Sequence, residues 1–73
     1  MMENEVRAVL EKMQADLPKA IEKQDRDSLS VIRWSGLENA IVLRKLGGMD
    51  RFADSFQDLS DQANEALLPL CGD

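Results

Sequence analysis

Histidine and tyrosine are absent from these 73 residues, cysteine and tryptophan occur once each, and no lysine or arginine follows Arg51. Each gap removes a class of answer. Without histidine there is no Ser-His or Cys-His nucleophile pair, and the side chain that most often moves protons near neutrality is missing. A single Cys71 forms no internal disulfide and, with no histidine, completes no zinc site. Its vicinity holds no activating base, so it reads as incidental. No apolar run approaches the roughly 20 residues of a membrane span, and the amino terminus, Met-Met-Glu-Asn-Glu, is not a basic-then-apolar signal segment. These absences lead to the expectation of a soluble cytoplasmic protein with no membrane partner.

The missing bases give the chain an uneven charge. Residues 1–25 carry six acids and four bases, 26–51 three acids and five bases, and 52–73 five acids and no base, for a total of −5. An acidic last third after a mildly basic middle implies either mutual attraction or separate partners.

With 44% apolar and 32% charged residues the composition suits a folded helical unit rather than disorder. A domain of this length hides only about 60% of its unfolded surface, so self-association or a partner would add useful burial. The expectation is one small, mainly α-helical domain over residues 1–73, a three-helix arrangement that binds protein.

Hydrophobic spacing locates the helices. Val6, Leu10, Met13, Leu17 and Ala20 recur at steps of four and three, the stripe of an amphipathic helix. Pro18 interrupts it: proline removes a helical hydrogen bond, so either the helix kinks or a second one opens there. Phe52, Phe56, Leu59, Ala63, Ala66 and Leu70 repeat the pattern, with Gly47-Gly48 as a helix stop, Asp50 as a cap, and Pro69 and Gly72 as the end.

The middle is ambiguous. Ser35-Gly36-Leu37-Glu38 matches a capping box, which predicts a helix from Gly36 to Leu46, yet Ser30-Val31-Ile32-Arg33-Trp34 is β-branched and aromatic. Residues 29–45 therefore fit a helix or a short β-hairpin turning at Gly36. As a helix this stretch is apolar nearly all round, as in a central helix or one that also dimerises.

Motifs for chemistry are few. Asp54, Asp58 and Asp61 are spaced for one helix face, where nothing raises a carboxyl toward catalytic use, and the alternating acids and central glycine of a calcium loop are absent. Leu46-Gly47-Gly48-Met49 lacks the Lys-Ser/Thr of a phosphate loop. No catalytic, cofactor or metal site is expected, and the chain reads as non-enzymatic. Arg26, Arg33, Arg44, Lys45 and Arg51 form the only basic concentration, with Trp34 among them, but a net charge of −5 opposes independent nucleic-acid binding.

A protein-binding role remains. Asp54, Asp58, Asp61 and Glu65 would steer a basic surface toward the chain, while Arg33, Trp34, Arg44 and Lys45 are the candidate anchors. For Trp34 itself the leading expectation is burial in the core, where a lone aromatic of a small domain is most useful, and the anchor role is the second. The first expectation is a small acidic regulator of a larger basic protein, such as a component of the transcription machinery, RNA polymerase included, or another nucleic-acid enzyme. In type this would suit a bacteriophage modulator or inhibitor of a host enzyme, or an antitoxin-like neutraliser. The alternative is a structural subunit or chaperone-like helical hairpin that forms an obligate complex or homodimer.

Overall fold

A computed structural model describes residues 3–71, and every regular element among them is helical: α1 (Glu3–Lys23), α2 (Arg26–Leu46) and α3 (Asp50–Cys71). The expected Gly72 stop, the last acid, Asp73, and the Cys71 thiol lie outside what is described. The helices run side by side in a body of 40 × 19 × 15 Å, with α2 antiparallel to both neighbours.

α1 buries Val6, Leu10, Met13, Leu17 and Ala20, the five residues of its stripe. It runs unbroken through Pro18, so the two-helix alternative does not hold. Its end lies at Gln24, whose φ of 53° places a non-glycine residue in the left-handed region. There the Gln24 N–H donates to the Ile21 carbonyl at 3.1 Å and the Asp25 N–H to that of Ala20 at 3.0 Å. This pair of bonds is a Schellman closure, which satisfies carbonyls the helix end leaves free.

α2 starts ten residues before the sequence expectation. Asp25 is its cap, accepting from the Ser28 N–H at 3.2 Å and the Ser28 hydroxyl at 2.8 Å. Those two bonds, the hydroxyl's first, hold the Asp25 carboxyl below its ordinary pKa. The capping box is therefore not used: Ser35 lies inside the helix, its carbonyl accepting from the Asn39 amide at 2.8 Å. The hairpin is excluded as well, because residues 29–45 are helical throughout. Burial of Leu29 and Ile32 on the inner face outweighs the modest strand preference of the β-branched run.

Gly47 and Gly48 stop α2, with φ of 79° and 78°. Asp50 proves to be the first helical residue of α3, not its cap; the Met49 carbonyl accepts the opening bond, from the Ala53 N–H at 3.0 Å. α3 also continues through Pro69, which lies in its last turn instead of ending it.

The core is built from Leu29, Ile32, Ala40 and Leu43 of α2, Ala53, Phe56, Leu59, Ala63 and Leu67 of α3, and the α1 stripe. Of the residues expected on the inner face of α3, Phe56, Leu59 and Ala63 are buried, whereas Phe52, Ala66 and Leu70 pack at its margin. α2 and α3 approach closely at Gly36, where a Cβ would lie 2.7 Å from the Phe56 carbonyl oxygen. Beside it the buried Ser60 hydroxyl donates to the Arg33 carbonyl at 2.8 Å. Small residues at this crossing let the backbones meet, and the polar atom they bury is satisfied.

Candidate protein-binding surfaces

The core face of α2 fixes what the opposite face must present. With Leu29, Ile32, Gly36, Ala40 and Leu43 turned inward, helical geometry turns Asp27, Val31, Trp34, Glu38, Ile41, Val42 and Lys45 outward. All seven are exposed. Val31 is 63% exposed and Trp34 55%, so the expectation of a core tryptophan is overturned. The inner face of α2 is occupied by small residues where α3 crosses it, leaving no room for an indole. Instead, the Arg33 guanidinium lies over the Trp34 ring, 5.4 Å from a ring centroid. That arrangement covers part of the aromatic face with a cation and leaves the rest to solvent.

α3 presents a different outer face. Asp54, Asp58, Asp61 and Glu65 follow one another at steps of four, three and four, and all four are exposed. Arg44 of α2 reaches this row, donating to Asp54 at 3.3 Å and to the Gln57 side-chain oxygen at 3.4 Å. The Gln57 amide in turn donates to Asp61 at 3.3 Å. Among the described residues, the basic middle and acidic last third of the chain thus attract each other at the seam between α2 and α3.

Of the eight candidate residues, Arg44, Asp54 and Asp61 share this surface network, with Gln57 as the link that charge reasoning passed over. Arg33 and Trp34 form a separate pair. Asp58 lies toward α1, beside a groove lined by Gln14, Leu17 and Pro18, while Glu65 and Lys45 stand exposed on their own helices. Compared with family models, curated proteins and solved structures, the chain matches none. Its surfaces are therefore read from their own chemistry.

Among the described residues no three His, Cys, Asp or Glu side chains cluster as a metal site, and no helix is long and apolar enough to cross a membrane. The outer face of α2 was partly legible beforehand, in the apolar residues that encircle its wheel. Val31 and Ile41 nevertheless belong to the candidate surface and were not singled out as anchors. Their signal was spacing: Val31, Trp34, Glu38, Ile41 and Lys45 recur at steps of three and four, the seam of a helix that meets another helix.

Proposed function

We propose that this chain is a non-enzymatic protein-binding regulator. The observation that carries the reading is the outward placement of Trp34 among Val31, Ile41 and Val42, on a helix whose other face already serves the core. Large apolar side chains exposed together on one face of a small folded unit suit the docking of another protein. The acidic row of α3 favours a partner with a basic surface, such as a nucleic-acid-handling enzyme. Charges of this type accelerate encounter, and apolar contacts then set the lifetime of the complex.

The test is affinity capture at increasing salt with the wild-type chain and two variants. Joint reversal of Asp54, Asp58, Asp61 and Glu65 to lysine slows association with a captured basic protein and removes its salt dependence, while the helical circular-dichroism signal is retained. Trp34→Glu shortens the lifetime of the same complex. A captured partner indifferent to both variants would overturn the reading.

A second reading is favoured by the charges that end the α2 seam. Asp27 lies near its start and Lys45 near its end, a distribution suited to pairing with a copy of itself in the opposite direction. In this reading the chain is a structural subunit whose α2 face is filled by self-association.

A further inference from the structure

We infer that the outer face of α2 is an isologous dimer seam, occupied by α2 of a second copy running antiparallel, in a register that sets Val31 against Ile41 of that copy. The inference rests on the reading of α2 as a binding face and commits it to one occupant.

Charge complementarity selects the arrangement. The seam residues are Asp27, Val31, Trp34, Glu38, Ile41 and Lys45, all exposed. In an antiparallel pair with Val31 facing Ile41 of the second copy, Asp27 faces Lys45 and Trp34 faces Glu38, each contact occurring twice by symmetry. Glu38 thereby approaches the guanidinium of Arg33, which lies over the Trp34 ring. Asp27 and Lys45 thus meet their opposites, and Glu38 meets the cation that lies over Trp34.

The alternatives do not achieve this. A parallel pair sets Asp27 on Asp27, Glu38 on Glu38 and Lys45 on Lys45. Sliding the antiparallel pair one way sets Asp27 against Glu38; sliding it the other way sets Glu38 against Ile41 and carries Asp27 past the end of the opposing helix. Opposed like charges penalise the parallel pair and the first slide, and the second slide sets a carboxylate on an apolar side chain and loses the Asp27–Lys45 pair.

Only four exposed apolar side chains per copy, Val31, Trp34, Ile41 and Val42, stand on this face, far fewer than the roughly 20–30 residues a side of a standard stable interface. The dimer is accordingly weak and concentration-dependent. It also carries the acidic row of α3 twice, so a basic partner is held at two points and needs less apolar anchoring on each.

Trp34 is the only tryptophan, so its emission reports the seam directly. Sedimentation and fluorescence of the purified chain, followed from low micromolar to about 1 mM, are expected to show a doubling of mass together with a blue shift of Trp34. Val31→Glu and Ile41→Lys each weaken the dimer by at least about tenfold, with helical circular dichroism unchanged because both positions are exposed. Mixing the two variants in equal amounts restores association, since Glu at 31 then faces Lys at 41 while the other Val31–Ile41 contact stays native. A parallel dimer gives no such rescue.

A wild-type chain that stays monomeric across the range, or a dimer insensitive to both variants, overturns the inference. Loss in both variants without recovery in the mixture overturns the register. Failure of the inference is distinguishable from failure of the broader reading: a monomer whose capture of a basic partner is still disrupted by Trp34→Glu keeps α2 as a binding face and gives it a different occupant.

Discussion

The outer faces of α2 and α3 share one spacing and carry opposite chemistry. Along α2 the steps of three and four bring out Val31, Trp34 and Ile41; along α3 the same steps bring out Asp54, Asp58, Asp61 and Glu65. The inner faces are both apolar. α3 therefore has a conventional division between core and solvent, whereas α2 is apolar on two sides and only one of them is used by the fold. Bulk does not choose which side turns inward. The buried side of α2 is the one with Gly36 and Ala40, and the exposed side carries the indole. Close approach to α3 requires small residues at the crossing, so the indole is left on the solvent side while Leu29, Ile32 and Leu43 fill the core on either side of it.

The largest effect that tests this contrast compares one aromatic residue from each of these helices. Phe56 is 1% exposed in the core and Trp34 is 55% exposed. Phe56→Ala is expected to cost about 3–5 kcal/mol of stability, enough to unfold much of a domain this small. Trp34→Ala, measured by urea denaturation at a concentration where the chain is monomeric, is expected to fall within about 1 kcal/mol of wild type. Comparable losses from the two substitutions would mean that the outer face of α2 belongs to the fold, and the contrast would collapse.

A smaller effect probes the crossing itself. Gly36→Ala gains about 1 kcal/mol of intrinsic helix preference, against about 1–3 kcal/mol for forcing extra volume into a packed contact. The clash decides the sign: the new Cβ would lie 2.7 Å from a backbone oxygen, that of Phe56, and 3.2 Å from the Ser60 Cβ and N atoms. No flexible side-chain tip is there to move aside. Net destabilisation of up to about 2 kcal/mol in thermal or urea unfolding is expected, and a stabilised variant would show that the two helices separate without penalty.

The legibility of the sequence follows the same division. The α1 stripe could be read because its five apolar residues occupy one face and the opposite face is charged. α2 could not be delimited, since its apolar residues encircle the wheel and its start depends on Asp25, whose role as a cap shows only when Ser28 is placed against it. The matching spacing at Ser35 to Glu38 drew the boundary ten residues too late. A capping box describes residues able to cap, and Gly36 was needed more in the contact with Phe56 than beside a helix terminus. For the surfaces, the acidic row was evident from charge alone. The solvent-facing indole was not, because tryptophan is as suited to a core as to an interface, and burial is decided by the shape of the opposing helix.

The smallest effect separates the acids of α3 from one another. Asp54 meets Arg44 at 3.3 Å, whereas Asp58 and Glu65 have no cationic partner within reach among the described residues. The Arg44 and Asp54 side chains are 45% and 75% exposed, so solvent screens most of the attraction. A double-mutant cycle with Arg44→Ala and Asp54→Ala is expected to return a coupling of about 0.2–1 kcal/mol, at the lower end for this exposure. The coupling shrinks further as salt is raised from about 0.01 M to 1 M, over which the screening length falls from about 30 Å to 3 Å. Cycles pairing Arg44 with Asp58 or Glu65 should return values near zero. Equal coupling to all three acids would mean that Arg44 neutralises the row as a whole; coupling confined to Asp54 leaves Asp58 and Glu65 with their full charge for an incoming basic surface.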